Sequence, residues 1–335
     1  MKLGTLDLAN RYILAPMQNV TTAPYRRFCR KFQEIGLVSV PMLYTKRIAK
    51  NPKFLEHKLY KIEEERPISI QLIGSDLDAF RKSIDYLESY NFDVLDINAG
   101  CPSRRAIRAK EGGYLMKDLR RLNELLRIVV KKSSKPVSLK IRTGFEKPMN
   151  IEEVSTLIND SGISFLTIHA RTVKSNFINS TLDLNTVKRL KERLRIPLVG
   201  NGDITTPVSA KQFIDYTKVD AFMIGRETMG NPEIFRQIHE HLTKDKTFAF
   251  KNNLELIKNY INIYEEIIDT LLSEISNPYG NDEFKFKELK RNSIWLMKGF
   301  TNSTKNRTQL SKTKSLLQLK ASLKEIFDKR IENNK

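Results

Sequence analysis

The chain has 335 residues, 40% hydrophobic and 29% charged, with 14 Gly and 12 Pro; it can bury a barrel-sized core and a smaller one, which excludes a disordered or collagen-like chain. Two cysteines, Cys29 and Cys101, are too few for a disulfide framework or a zinc site, so a reducing compartment is expected. The net charge of +19 is far from neutral and sets the search for a polyanionic partner.

The opening MKLGTLDLANRY lacks the apolar segment of an export signal, and no run of about 18 uncharged apolar residues follows, so a soluble, cytoplasmic protein is expected. Short apolar runs then recur: YILAPM (12–17), GLVSVPML (36–43), ISIQLIG (68–74), VLDINAG (94–100), VSLKIRTG (137–144), FLTIHAR (165–171), PLVGNGD (197–203) and AFMIGR (221–226). They are bounded by Gly, Pro or Asn and rich in Val, Ile and Leu, as strands buried on both faces are. Amphipathic stretches lie between them, among them DLDAFRKSIDYLESY (76–90) and LRRLNELLRIVVKK (119–132). The second carries Leu122, Leu125, Leu126, Val129 and Val130 at helical spacing.

Eight strands alternating with helices predict an α/β fold, a (β/α)8 TIM barrel, over residues 1–243. A doubly wound sheet is the alternative, but the GxGxxG turn it usually carries is missing. NPEIFRQIHEHL (231–242) reads as the last barrel helix and TKDKTFAFKNN (243–253) as a linker. Residues 250–335 read as a small all-α helical domain, with helices in LELIKNYINIYEEIIDTLL and KFKELKRNSIWLMKGF and a loop at SNPYGNDE (276–283).

Polar residues mark the C-terminal ends of the strands in phase: Pro16, Met17 and Gln18; Gln71; Asn98 with Cys101; Lys140 with Arg142; His169 with Arg171; Asn201, Gly202 and Asp203; Gly225 and Arg226. In a barrel those ends converge on the face that holds the active site. NGDITTP and IGRETMGNP, after strands seven and eight, suit a phosphate: Gly202 and Gly225 admit backbone N–H groups and Arg226 adds a charged donor. Lys140 interrupts an apolar strand and needs an anion or a polarisable group, either the pyrimidine edge of a flavin or a carboxylate such as Asp96 or Asp203. Gln71 and Asn98 offer amide hydrogen bonds to a planar heterocycle. His169 reads equally as structural or functional. No His, Cys, Asp and Glu spacing matches a metal site, so no metal is expected. Cys101 lies on a loop among cations, and on local reading it is a nucleophile, a proton donor or an inert thiol.

The charge is concentrated. Residues 101–147 hold 14 Lys and Arg against 4 Asp and Glu, and residues 284–335 hold the same numbers, leaving the remainder close to neutral. Two such blocks suggest a nucleic-acid footprint.

Together these stretches resemble the tRNA-dihydrouridine synthase family. The resemblance rests on LAPMQNVTTAPYR (14–26), QLIG (71–74), DINAGCP (96–102), VSLKIRTG (137–144), HART (169–172), NGDITTP (201–207), IGRETMGNP (224–232) and KRNSIWLMKGF (290–300), and so spans nearly the whole chain. It implies an oxidoreductase that reduces uridines in the D-loop of tRNA to 5,6-dihydrouridine. FMN is the implied cofactor, held by Pro16, Met17, Gln18, Gln71, Lys140, His169, Asn201, Gly202, Asp203, Gly225 and Arg226, with NADPH (or NADH) as transient reductant. Hydride passes from the flavin to uracil C6 and a proton from Cys101 to C5, while Asn98, Lys140, Arg142 and His169 hold the uracil. Arg104, Arg105, Arg108, Lys110, Lys290, Arg291 and Lys298 are the expected contacts to the tRNA backbone, and a monomer is expected. Gln18, Asn19, Pro41, Ala99 and the HAR in place of HGR depart from the family pattern around the pocket. The alternatives are a flavin barrel acting on a small pyrimidine, for which the C-terminal basic block has no use, and a tRNA-binding protein without chemistry.

Overall fold

Buried on both faces, the apolar runs pair side by side. In the computed structural model, which describes all residues except 179–180, 248–253, 275–279, 299–301, 329–335 and the side chain of residue 57, they form β1 (Tyr12–Leu14), β2 (Val38–Ser39), β3 (Ile68–Ile73), β4 (Val94–Asn98), β5 (Val137–Arg142), β6 (Phe165–His169), β7 (Leu198–Asn201) and β8 (Ala221–Ile224). Each is parallel to its neighbour, in the order β1, β8, β7, β6, β5, β4, β3, β2. A parallel bridge between Ile13 and Leu37 closes the ring: Leu14 N donates to Leu37 O at 2.9 Å and Leu37 N to Tyr12 O at 3.3 Å. The expected TIM barrel is the fold.

Strand β2 is shorter than its apolar run. Pro41 has no N–H to give to a ladder, so pairing stops before it. The chain rejoins the sheet at Leu43–Tyr44, opposite Leu72 and Ile73 at the end of β3. The helices of the βα units start where side chains cap them: Asp76 accepts from Ala79 N, Asp118 from Arg121 N and Asp183 from Thr186 N, each at 2.9 Å. Thr206 and Ser209 form a capping box around Pro207. The helix expected at 119–132 spans Leu119–Lys132 and buries Leu122, Leu125, Leu126 and Val129.

A hairpin of Lys2–Leu3 and Leu6–Asp7, which no sequence signal announced, packs Leu3, Leu6 and Leu8 against Ile13, Val94, Phe165, Val199 and Ala221, near the starts of the strands. It adds apolar side chains to the core at the strand starts.

The chain divides into two compact units, Met1–Arg26 with Glu34–Gly225, and Arg27–Gln33 with Arg226–Lys335. The two units part after Gly225, and the Ile234–Lys244 helix belongs to the second. Residues 27–33 join that unit through aromatic packing: Phe28 lies 5.2 Å from Tyr264 and Phe32 lies 5.1 Å from Tyr260 between ring centroids. The other described helices of this unit are Leu254–Glu274, Asn281–Leu296, Ser303–Lys312 and Leu316–Asp328. Most of the expected linker, 248–253, and positions 276–279 of the expected loop lie outside the described residues, while Asn281–Glu283 already begin a helix. Among the described residues no helix is long and apolar enough to cross a membrane.

Candidate active site

Parallel register brings the strand-end residues onto one rim. Asn98 pairs with Lys140, Arg142 with His169, and His169 with Asn201. The side chains then link across strands. Asp96 accepts from Ser138 Oγ at 2.7 Å and from Gln71 Nε2 at 2.6 Å. Gln71 Oε1 accepts from Asn98 Nδ2 at 2.9 Å, and Asn98 Oδ1 accepts from the backbone N–H of Gly100 at 3.1 Å and of Cys101 at 2.9 Å. This relay runs from the floor of the barrel to the cysteine loop. Burial pushes the Asp96 carboxyl above its usual range, against the opposing pull of Ser138, Gln71 and Lys140.

Lys140 is the one residue of β5 that is not fully buried. Its ammonium donates to Asn201 Oδ1 at 3.2 Å, and Asn201 Nδ2 is held by Met223 O at 2.8 Å. Enclosure by the barrel brings the lysine pKa down to about 8; the Arg142 charge adds to this, and Asp96 and Cys101 work against it. An ammonium has three donors. The bond to Asn201 occupies one, and two remain for a ligand with acceptor atoms.

Arg142 ends β5 and is buried. Its guanidinium donates to the carbonyls of Gly100 at 3.0 Å, Thr172 at 2.9 Å and Asn176 at 2.6 Å, so it ties the cysteine loop to the loop after β6. Asp203 likewise pairs with Arg171, a residue with no exposed surface, whose Nη1 donates to Asp203 Oδ1 at 3.0 Å and whose Nη2 donates to Oδ2. Sequence reading set Arg171 beside His169 without seeing this pair. His169 is buried, with its ring 6.0 Å from that of Phe177, edge to face.

At the β1 end, Met17 N donates to Thr21 Oγ1 at 3.1 Å. Behind that turn Arg26 donates to Thr21 O at 2.7 Å and to both oxygens of Glu65, all of it buried. The Arg26–Glu65 pair went unread, because an isolated Arg and an isolated Glu 39 positions apart carry no local signal. Pro16 and Met17 are half-buried and Gln18 is exposed. A Cβ at Gly225 would lie 3.2 Å from Met17 Sδ and 3.3 Å from Ala15 Cβ, a tight fit to which Met17 would have to give way. Gly202, at φ 134°, adopts a backbone that favours glycine. Arg226 is exposed and opens the Arg226–Met229 turn of the second unit.

Cys101 is half-buried and its thiol reaches Ser103 Oγ at 3.4 Å. Ser103 in turn caps the Arg104–Arg108 helix, accepting from Ala106 N at 3.2 Å. Gly112 packs so close that a Cβ there meets Cys101 Cβ at 2.9 Å. The thiol is therefore held at the rim near Asn98 and Lys140, and is partly open.

Of the C-terminal cations, Lys290 donates to Ser311 O at 2.8 Å and Thr313 O at 2.6 Å, closing the end of the Ser303–Lys312 helix. Arg291 pairs with Glu288, which also accepts from Tyr264 Oη at 2.6 Å. Lys298 is exposed and lies within electrostatic range of Glu227. Lys290 and Arg291 are thus engaged inside their own unit.

A family model described as dihydrouridine synthase (Dus) matches residues 13–332. The protein named tRNA-dihydrouridine synthase B of Pasteurella multocida is 36% identical over 246 residues, covering 73% of this chain and 74% of its own. That of Escherichia coli is 34% identical over 252 residues, covering 72% and 75%. That of Pseudomonas aeruginosa is 29% identical over 334 residues, covering 99% and 97%. Among solved structures, a morphinone reductase mutant in complex with tetrahydroNAD aligns with a TM-score of 0.53 at 14% identity, over 71% of this chain and 89% of that one. TcOYE with pHBA aligns at 0.52 and 12% identity, over 72% and 91%. The last two are likenesses of fold alone.

Proposed function

The chain belongs to the dihydrouridine synthase family, and from that premise we propose that it reduces uridines in the D-loop of tRNA to 5,6-dihydrouridine, using FMN and NADPH. The observation that carries the reading is the juxtaposition at the rim: a partly open Cys101 held by Asn98, beside an ammonium on Lys140 with donors to spare.

The donor set suits a flavin. Lys140 has N–H donors for a heterocycle rich in carbonyl oxygens, Gln71 backs Asn98 from within the barrel, and Asn201, Gly202, Gly225 and Arg226 follow the last two strands, where such barrels hold phosphate. Pro16 and Met17 line the β1 end. Bound and reduced, FMN supplies the hydride for uracil C6. Everything else falls to the protein. Asn98 and Lys140 orient the uracil carbonyls, with His169 beside them. Cys101 holds a proton on Sγ and releases it to C5, so the C5–C6 double bond gains one hydride and one proton in all. A general acid placed in this way contributes on the order of 10²–10⁴ in rate. The basic residues after Cys101 and the helical unit take the tRNA, whose target base must leave its stack to reach the rim.

Expression of this gene in a strain lacking its own dihydrouridine synthases, with dihydrouridine mapped across the tRNA pool, tests the proposal. Appearance of dihydrouridine at D-loop positions is expected. A pool unchanged by the wild-type protein, expressed and carrying flavin, rules the activity out.

A further inference from the structure

The cations that follow Cys101 fall into two kinds. Arg104, Arg108 and Lys110 are exposed, and among the described residues their side chains make no hydrogen bond or ion pair. Arg105 is also exposed, but its guanidinium lies 4.3 Å from the centroid of the Tyr44 ring. Glu111, 5% exposed, interacts electrostatically with Arg105 and with Tyr44. Tyr44 is held in the sheet by its pairing with Ile73 and lies within electrostatic range of Cys101. The helix that carries Arg105 is capped by the same Ser103 hydroxyl that the Cys101 thiol touches. The guanidinium thus stands over a ring that lies within electrostatic range of the cysteine, on a residue open to solvent.

A phosphate contact requires only charge, which the three unengaged cations supply on mobile side chains. A planar cation laid on an aromatic ring offers something else, a flat surface of fixed orientation with little side-chain entropy left to lose. RNA read as a single strand uses such surfaces, stacking unpaired bases on aromatic rings and guanidinium planes. Flipping one base out of an RNA also deprives its neighbour of a stacking partner. We propose that Arg105, laid on Tyr44 and flanked by Glu111, is a stacking platform for the nucleobase next to the target uridine. This rests on the tRNA-reducing function above and assigns Arg105 to a base where a backbone contact was expected.

Equilibrium binding of tRNA to the flavin-loaded protein, measured across a salt series, tests it. Arg105→Ala is expected to weaken binding on the order of tenfold with the slope of log K against log salt unchanged. Arg105→Lys, which keeps the charge and loses the plane, should be as weak. Tyr44→Leu should show the same loss, and the double variant no further loss. Arg108→Ala, as a phosphate-type control, should lower the slope by about one. A slope lowered by about one in Arg105→Ala, with binding restored in Arg105→Lys, makes Arg105 a phosphate contact and overturns the platform. Unchanged affinity in both Arg105→Ala and Tyr44→Leu overturns it as well, leaving the stack a brace for the loop. Failure of the wild-type protein to bind tRNA overturns the function on which it rests.

Discussion

The backbone N–H of Cys101 donates to Asn98 Oδ1 at 2.9 Å, and this bond fixes the sense of a whole chain of amides. A backbone N–H can only donate, so Asn98 must turn its oxygen to the loop and its N–H2 to Gln71. At the far end Asp96 accepts from Ser138 Oγ and from Gln71 Nε2, so Gln71 turns its N–H2 to Asp96 and its oxygen to Asn98. The two amides therefore run in one direction along the relay. The other N–H of Asn98 meets only Met42 Sδ, at 3.7 Å, a weak acceptor that a carbonyl oxygen would readily replace.

Cys101→Ala is expected to lower single-turnover dihydrouridine formation on tRNA by about 10²–10⁴-fold, the usual contribution of a positioned acid, with flavin content unchanged. Asn98→Ala frees the cysteine loop and removes the N–H donor, so its loss should be of similar size. Rapid-quench assay with nucleoside analysis reads both.

Lys140 releases its proton at about 8. Its folded value lies below that of a free lysine, so the ammonium is charged below pH 8 and lost as the pH rises through it, while Asp96, Arg142 and Cys101 are the charged or titratable neighbours. Flavin affinity of the apoprotein should therefore fall as the pH passes about 8. In Lys140→Met it should be weaker and flat from pH 6.5 to 9.5, a range chosen to bracket about one and a half units each side. Fluorescence titration of FMN at several pH values measures it.

The Arg26–Glu65 pair is buried on both sides. Glu65→Gln leaves a buried guanidinium uncompensated and should cost about 3–5 kcal/mol in denaturant unfolding of the barrel. The double variant Arg26→Met with Glu65→Leu should lose less than Glu65→Gln, because no charge is then stranded. Unfolding curves of the three proteins check the order.

Alanine at Arg104, Arg108 or Lys110 should each lower the salt slope of tRNA binding by about one. Lys290→Ala should leave the slope near that of wild type and instead loosen the end of the Ser303–Lys312 helix that its ammonium holds. Filter binding across salt, beside thermal unfolding, separates the two effects.

Strand positions were legible because burial on both faces writes an unbroken apolar run, and each of the eight runs contains the strand assigned to it. The rim was legible for the same reason, as polar residues at the ends of such runs have few places to go. What could not be read was pairing. Arg142 and Asp203 stand where ligand contacts belong by position, yet Arg142 binds three loop carbonyls and Asp203 binds Arg171. Lys290 and Arg291 count as basic charge in the sequence, but their partners, the carbonyls at 311 and 313 and the carboxylate of Glu288, are set by tertiary packing. The Tyr44–Arg105 stack is hidden by Pro41, which ends β2 and sends the chain back to the sheet two residues later.

The N-terminal hairpin puts Leu3, Leu6 and Leu8 in one apolar cluster with Val94, Phe165, Val199 and Ala221. Under the proposed function, tRNA and reductant both call at the rim where Asn98, Cys101 and Lys140 meet. Two callers at one threshold take turns, so steady-state rates should give the parallel double-reciprocal lines of a ping-pong reaction.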